Sequence, residues 1–485
     1  MKEVPSSIVD DLVRFLGLTN CLVWGVRSGV NTFCLALGVD MAEEAVDVVI
    51  FGASGFTGKY VVRELLKFSN DGNRRVALAG RNRAKLAAAL QWAAAPASPP
   101  PLPLFEADVD DPQSLLSMCR RTKLVLNCVG PFRLYGQPVV AACVEAGIDY
   151  LDITGEPEFM ERMELLYHQA AADRGSLIVS ACGYDSIPAE FGLLHHLKQW
   201  VAPCLPVAVD CFLQITSSIK VVGNLGTWES AVLGVSSASD LRKMRAQTKS
   251  SKARISVPGA PAKKPSLLSW NKHLSVWAMY LPSADSAVVR RTMSTAASGA
   301  PPSIAEAEDP NLPAEAYARK LIYTPVHFGV YSALPNIFSV FTQLWMGISV
   351  MCLAFFAFGR RLLLRFPEFF SFGLFQRGGP SGEQVAAARF KMWFVGKGYS
   401  DSTMATSSHA PKPDLQMTTV VSGPEIGYVT TPICLVQCAL IVLEQRRSLP
   451  CGGVYTPGTV FGTTELQERL EENGISFEFL SKQNI

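Results

Sequence analysis

The sequence predicts an α/β protein: a doubly wound parallel sheet, followed by a second α/β domain with a mixed sheet that carries an oily, membrane-associating segment. Three observations lead there. Val46-Asp47-Val48-Val49-Ile50-Phe51 is a near-continuous apolar run that leads into a glycine-rich turn and then a helical pattern. Further short apolar runs begin near 76, 104, 124, 149 and 177, with helical stretches between most of them, and that alternation builds a parallel sheet. Ile337 to Phe358 holds 22 positions without a charged residue. The predicted division is 1–45 as an N-terminal extension, 46–195 as a nucleotide-binding domain and 196–485 as the second domain.

A chain of 485 residues can bury a large core. Net charge is +2, evenly mixed, without the basic stripe that nucleic acid requires. The twelve cysteines include no CxxC pair, and no His/Cys cluster has metal-ligand spacing. Neither a disulfide framework nor a metal is expected, and a reducing compartment fits. In the extension, Ile8, Leu12, Phe15 and Leu16 fall at helical spacing. Acidic Glu3, Asp10 and Asp11 argue against a transit peptide, and Met41 is a natural start.

The first strand, Val46 to Phe51, reads as buried on both faces. Gly52, Gly55 and Gly58 follow, and Val61, Val62, Leu65 and Leu66 form one helical face. Strand, glycine turn and helix are the setting of a dinucleotide fingerprint, here spaced GxxGxxG. Gly52 is free to take positive φ, a bare Gly55 lets a pyrophosphate approach the backbone, and Gly58 lets helix and sheet pack closely. The free N–H groups of the first helical turn hold negative charge, and Ser54 and Thr57 add hydroxyl donors.

The second strand, Arg75 to Ala79, ends in Gly80-Arg81. This is where an acidic residue would bind the ribose of NAD and an arginine the 2′-phosphate of NADP. Arg81, backed by Arg83 and Lys85, favours NADP over NAD; its alternative is merely to serve the start of the next helix. After a proline-rich loop, Leu104 to Asp108 is the third strand, with Asp108 placed either at the adenine edge or in a turn. Leu124 to Val129 is the fourth and runs through Asn127 and Cys128 into Gly130-Pro131; a helix follows from Pro138. Strands at Asp149–Asp152 and Leu177–Ser180 complete the sheet. Just beyond, Tyr184 is placed to donate a proton and Asp185 to orient it. On the other reading this stretch is a loop whose Asp185 or Ser186 caps a helix. His195 and His196 read as surface or packing residues.

GASGFTG at Gly52 to Gly58, AGR at Ala79 to Arg81, NCVGPF at Asn127 to Phe132, YLDITGE at Tyr150 to Glu156 and CGYDSIP at Cys182 to Pro188 together resemble the saccharopine dehydrogenase-like oxidoreductase family. The chain is also similar to mycobacterial trans-acting enoyl reductases. The resemblance is strong from about 46 to 235, through GTWESA at Gly226 to Ala231, and weaker beyond. It implies a Rossmann-type NAD(P) domain in which Gly52, Ser54, Gly55, Phe56 and Thr57 hold the pyrophosphate. Gly80 and Arg81 would meet the ribose, and Asn127, Cys128, Gly130 and Pro131 the nicotinamide side. The family name does not fix the substrate. Saccharopine carries three carboxylates, and no motif here announces the cluster of cations it would need.

In the second half, Val207 to Ser217 opens the new domain as a strand, and Gln247–Pro265 and Ala296–Pro313 read as polar insertions. Ile337 to Phe358 as one helix would be about 33 Å long, near the thickness of a bilayer core. Its strongly apolar part is shorter, and Arg360, Arg361 and Arg365 lead to a second oily run, Phe366 to Phe375. Three readings stand for 337–375: a single-pass anchor, a monotopic insertion into one leaflet, and a buried core or homodimer helix. Animal members of the family are associated with lipid droplets, which favours insertion. Met392–Val395, Met417–Val421 and Ser476–Leu480 read as strands, Pro432–Glu444 as a core helix packing back on the first domain, and Glu465–Asn473 as an amphipathic helix.

The resulting expectation is an NADP-dependent oxidoreductase for a hydrophobic or lipid-linked substrate, at a lipid-droplet or endoplasmic-reticulum surface facing the cytosol. A lipid-surface protein without turnover and a cytoplasmic amino-acid dehydrogenase are the alternatives.

Overall fold

Strand β1 (Val46–Phe51) lies at the centre of a parallel sheet because hydrophobic side chains occupy both its faces. The computed structural model describes residues 45–68, 74–248, 255–259, 266–298, 324–406 and 410–485. The helix expected at 8–16 and most of both polar insertions lie outside the described residues.

From β1 the chain runs through α1 (Phe56–Leu66), β2 (Val76–Gly80), α2 (Arg83–Ala94), β3 (Leu104–Glu106), α3 (Pro112–Cys119) and β4 (Thr122–Asn127). It continues through α4 (Phe132–Ala146), β5 (Asp149–Asp152), α5 (Pro157–Arg174), β6 (Leu177–Val179) and α6 (Ile187–Lys198). The strands stand in the order β3-β2-β1-β4-β5-β6, all parallel. This is the doubly wound dinucleotide-binding order, with its crossover between β1 and β4. Helix α4 begins at Phe132, ahead of the expected Pro138, because the buried Glu156 carboxylate accepts from the backbone N–H groups of Phe132 and Arg133.

The second half contributes β7 (Leu205–Thr216), β8 (Gly223–Asn224), α7 (Leu225–Ser236), α8 (Ala238–Thr248), β9 (Leu268–Asn271), β10 (Val276–Tyr280), α9 (Ala284–Ala297) and β11 (His327–Leu334). Then come α10 (Ile337–Leu353), α11 (Ala357–Arg365), α12 (Pro367–Phe370), β12 (Phe375–Gln376), α13 (Gly382–Ala387), β13 (Arg389–Tyr399) and β14 (Leu415–Pro424). The last elements are α14 (Thr431–Gln445), β15 (Gly453–Tyr455), α15 (Pro457–Phe461), α16 (Leu466–Glu472) and β16 (Ser476–Asn484). A mixed sheet runs β16-β14-β13-β7-β11-β10-β9, parallel only between β7 and β11.

The two sheets share one large core. Helix α14 is apolar on all sides and packs against α1, β4 and β5. The stretch Ile426–Ser448 is long and apolar enough to cross a membrane, but most of it is buried inside the protein. A helix hydrophobic all round is a core helix or a span, and here it is core. Beyond it, β15 pairs in parallel with β6 and becomes the seventh strand of the first sheet.

The oily segment is not one straight helix. Helix α10 stops at Leu353, and α11 folds back after a short turn. Gly359 permits this reversal, since a Cβ there would stand 2.1 Å from the Leu353 carbonyl oxygen. The Arg360 guanidinium donates to the Ala354 carbonyl at 2.9 Å, which closes the end of α10. Val340, Val350, Ala354 and Leu363 face inward, while Ile337, Phe338, Phe341, Ile348, Met351, Phe355, Phe356, Phe358, Phe366 and Phe369 are exposed. Within this chain the buried-core reading of 337–375 therefore fails: its bulkiest side chains point outward.

Candidate functional site: the carboxyl edge of the parallel sheet

The glycine turn takes the shape that its sequence requires. Gly52 has φ +82°, and a Cβ on it would lie 2.7 Å from the Val129 side chain. Gly58 passes so close to the turn that a Cβ would lie 2.1 Å from the Gly52 carbonyl oxygen. Ser54 and Gly55 remain exposed at the start of α1, which has no side-chain cap, so its first N–H groups are open to an anion. Phe56 turns away from that edge, packing edge-on against Tyr428 with ring centroids 4.8 Å apart. Thr57 is half-buried in the first turn.

At the end of β2, Gly80 is buried against Leu86 with the Ser54 hydroxyl nearby, so the first two strand ends meet. Arg81 is exposed beyond it, and Asn82 caps α2 through the Lys85 N–H. Asp108 belongs to a turn: its carboxylate accepts from the Asp110 N–H.

Strand β4 ends differently from the expectation. Asn127 is fully buried, its amide donating to the Tyr150 hydroxyl and its oxygen accepting from the Val129 N–H. It shapes the loop from inside, whereas Gly130 is exposed and Pro131 packs beneath it. Burial pushes the Cys128 thiol up to about 12, so it is no thiolate. In the loop after β5, Gly155 is exposed and Glu156 buried. Glu156 gathers the Phe132 and Arg133 N–H groups and the Ser230 hydroxyl of α7, with the Arg133 guanidinium 3.4 Å away.

At the end of β6, Asp185 is exposed yet lies deep in the protein, where desolvation raises its carboxyl above the ordinary range. It sits over Gly155: a Cβ there would lie 2.4 Å from the Asp185 carboxylate. Tyr184 is buried edge-on to Phe390, and its hydroxyl has no hydrogen-bond partner. Next to both stands a residue the sequence reading missed, Asp285 of α9. It is 4% exposed, with one carboxylate oxygen unpartnered. Burial and the Asp185 charge push its carboxyl up to about 8. Glu190, one turn into α6, is pushed up to about 7 by burial. Nothing local marks Asp285; it reaches the site because α9 packs on α6.

His196 is a packing residue. Its ring lies between the Thr419 hydroxyl and the Trp200 N–H, and burial holds it down at about 3. His195 is half-buried against Phe477 and Gln467. Among the described residues no cluster of His, Cys, Asp and Glu forms a metal site.

Exposed Ser54 and Gly55, Arg81, Gly130, Gly155 and Asp185 therefore follow the ends of β1, β2, β4, β5 and β6 along one edge. A dinucleotide lies along this edge in an open parallel sheet. The bare turn and the uncapped helix fit its pyrophosphate, and exposed Arg81, where an NAD enzyme carries an acid, fits a 2′-phosphate.

Residues 48–179 match the profile of the saccharopine dehydrogenase NADP binding domain. A relative from Arabidopsis thaliana that bears the name "probable mitochondrial saccharopine dehydrogenase-like oxidoreductase" is 53% identical over 91% of this chain and 97% of its own length. The human saccharopine dehydrogenase-like oxidoreductase is 37% identical over 90% of this chain and 98% of its own. A lipid droplet localized protein of Caenorhabditis elegans is 32% identical over 90% of this chain and 99% of its own. The chain thus belongs to the saccharopine dehydrogenase-like oxidoreductase family, and it is an oxidoreductase whose cofactor is NADP.

Proposed function

We propose that the chain exchanges a hydride with a hydrophobic, lipid-linked substrate while resting on a membrane or lipid-droplet surface. The observation that carries this is the link between the oily hairpin and the cofactor edge. On one side of α7, the Trp228 indole donates to the Leu363 carbonyl of α11 at 3.0 Å. On the other, Ser230 donates to Glu156 at 2.9 Å and the Leu233 carbonyl accepts from Arg133. One helix joins the exposed apolar surface to the loop after β5. The droplet location carried by the nematode relative's name agrees with this reading.

NADP, when bound, supplies or accepts the hydride. Ser54, Gly55 and the first turn of α1 would hold its pyrophosphate, Arg81 its 2′-phosphate, and the loop Cys128–Pro131 its nicotinamide side. Asp185 faces the far end of that row, where a substrate would lie. With Tyr184 and Asp285 behind it, it would supply the proton that accompanies reduction of a C=O or C=C bond. The ionisable groups around Asp185 also argue against saccharopine: Asp285 and Glu190 are acids, Arg291 is paired with Glu164, and Arg133 with Glu156 and Glu158. A substrate with three carboxylates would meet no unpaired cation among these groups.

Purified full chain, mixed with NADPH and vesicles carrying either a keto-acyl or an enoyl lipid, tests the proposal by loss of NADPH absorbance. Steady NADPH oxidation with a lipid is expected, and no formation of NADPH when saccharopine, a secondary amine that gives up a hydride, is mixed with NADP+ in its place. Turnover of saccharopine, with every lipid inert, would overturn it.

A further inference from the structure

A recess of about 550 Å³ opens on the flank of α1, between α2, α13 and the turn at Ile426–Thr430. None of the exposed cofactor-edge residues lines it. Tyr60, Trp92 and Tyr428 form its aromatic wall. Into it project Lys59 and Arg63, one helical turn apart. The Lys59 ammonium lies 4.4 Å from the Trp92 ring centre and 4.5 Å from that of Phe56. The Arg63 guanidinium stacks on Trp92 at 3.7 Å and donates to its carbonyl.

Neither cation has a carboxylate partner among the described residues. Two like charges at this spacing oppose each other, and partial burial adds to the cost. Both effects lower the proton affinity of Lys59. Nearby, Glu64 is 5% exposed and paired with Lys67 through one oxygen, while its other oxygen is buried without a partner. The recess thus presents two uncompensated cations and a flat aromatic wall.

We propose that this recess binds a phosphomonoester: the phosphate between Lys59 and Arg63, and its organic body against Tyr60 and Trp92. A dianionic phosphate matches two adjacent cations, with the guanidinium offering a fork and the ammonium a point charge. A lipid headgroup and a soluble phosphate ester share this chemistry. Position favours the headgroup, because Pro380, Gly382 and Val385 of the rim follow the oily hairpin directly in the chain. The inference does not depend on the substrate or on turnover.

The test uses the full chain at constant ionic strength, with chloride as baseline. The probes are inorganic phosphate, sn-glycerol 3-phosphate, and phosphatidylcholine vesicles with or without phosphatidic acid; the readouts are thermal unfolding and tryptophan fluorescence. Glycerol 3-phosphate or phosphatidic acid should raise the melting temperature above the chloride and plain-vesicle controls. Lys59→Gln and Arg63→Gln should each weaken that effect about tenfold or more, with NADPH affinity unchanged. A response to phosphatidic acid alone assigns the ligand to the membrane, and a saturable response to glycerol 3-phosphate assigns it to solution. No phosphate-specific response, a response that survives both substitutions, or a parallel loss of NADPH affinity would overturn the proposal.

Discussion

Arg81 and Asp285 show how far single residues could be read. The position of Arg81 was legible, at the end of β2 and exposed beyond Gly80, and its contact with a 2′-phosphate is a prediction. Arg81→Ala should weaken NADPH by about 10- to 150-fold, from about 1.5–3 kcal/mol for a charge-assisted contact, and leave NADH nearly unchanged. Fluorescence titration with both nucleotides checks this. Asp285 was not legible, since its role arises from neighbours about a hundred residues away in the chain. Its carboxyl is raised from 3.8 to about 8. The folded state therefore keeps a proton that the unfolded chain releases. That contribution to stability is complete below the unfolded value and is lost as pH rises through the folded one. Asp285→Asn keeps the neutral shape, so it should gain stability relative to the parent between about pH 5 and about pH 8. Urea midpoints at the two pH values measure this, and a constant difference would count against a neutral Asp285.

Among the elements, α10 and α11 depart most from a local reading. Composition marked 337–375 as oily but left open which side chains turn out. Phe338 is 70% exposed and Phe341 58%, while Val340 and Val350 of the same helix are buried. A long apolar face left in water marks an interaction surface. At 17 residues, α10 is about 26 Å long by its rise, short of a bilayer core of about 30 Å. Together with the turn back into α11, that length favours insertion into one leaflet. Replacing Phe338, Phe341 and Trp345 together with Ser should abolish vesicle flotation, each aromatic being worth up to about 1.5–3 kcal/mol when buried. The melting temperature and NADPH affinity should stay near the parent's. Undiminished flotation would show that the hairpin is not the anchor.

At the scale of the whole molecule, Glu156 connects the two halves. It follows β5, accepts from the start of α4 and holds Ser230 of α7, all from a buried position. Glu156→Gln keeps the shape but removes the charge facing Arg133, which then retains Glu158 alone. A loss of about 1–3 kcal/mol of stability is expected, with weaker NADPH binding because the Gly130–Pro131 loop loses its support. Denaturant unfolding and nucleotide titration on the same variant test both effects, and intact NADPH binding would separate α7 from the cofactor edge.

The sequence by itself determined the parallel sheet, the glycine turn and NADP as the cofactor. Each is written within about thirty residues as periodicity, turn chemistry and charge, where local sterics and side-chain alternation act. Only the tertiary structure decided that β15 completes the first sheet, that Asp285 meets Asp185, and which face of α10 stays open. Those outcomes depend on burial and pairing between segments tens to hundreds of residues apart, and an apolar stretch carries the same pattern whatever surface comes to cover it.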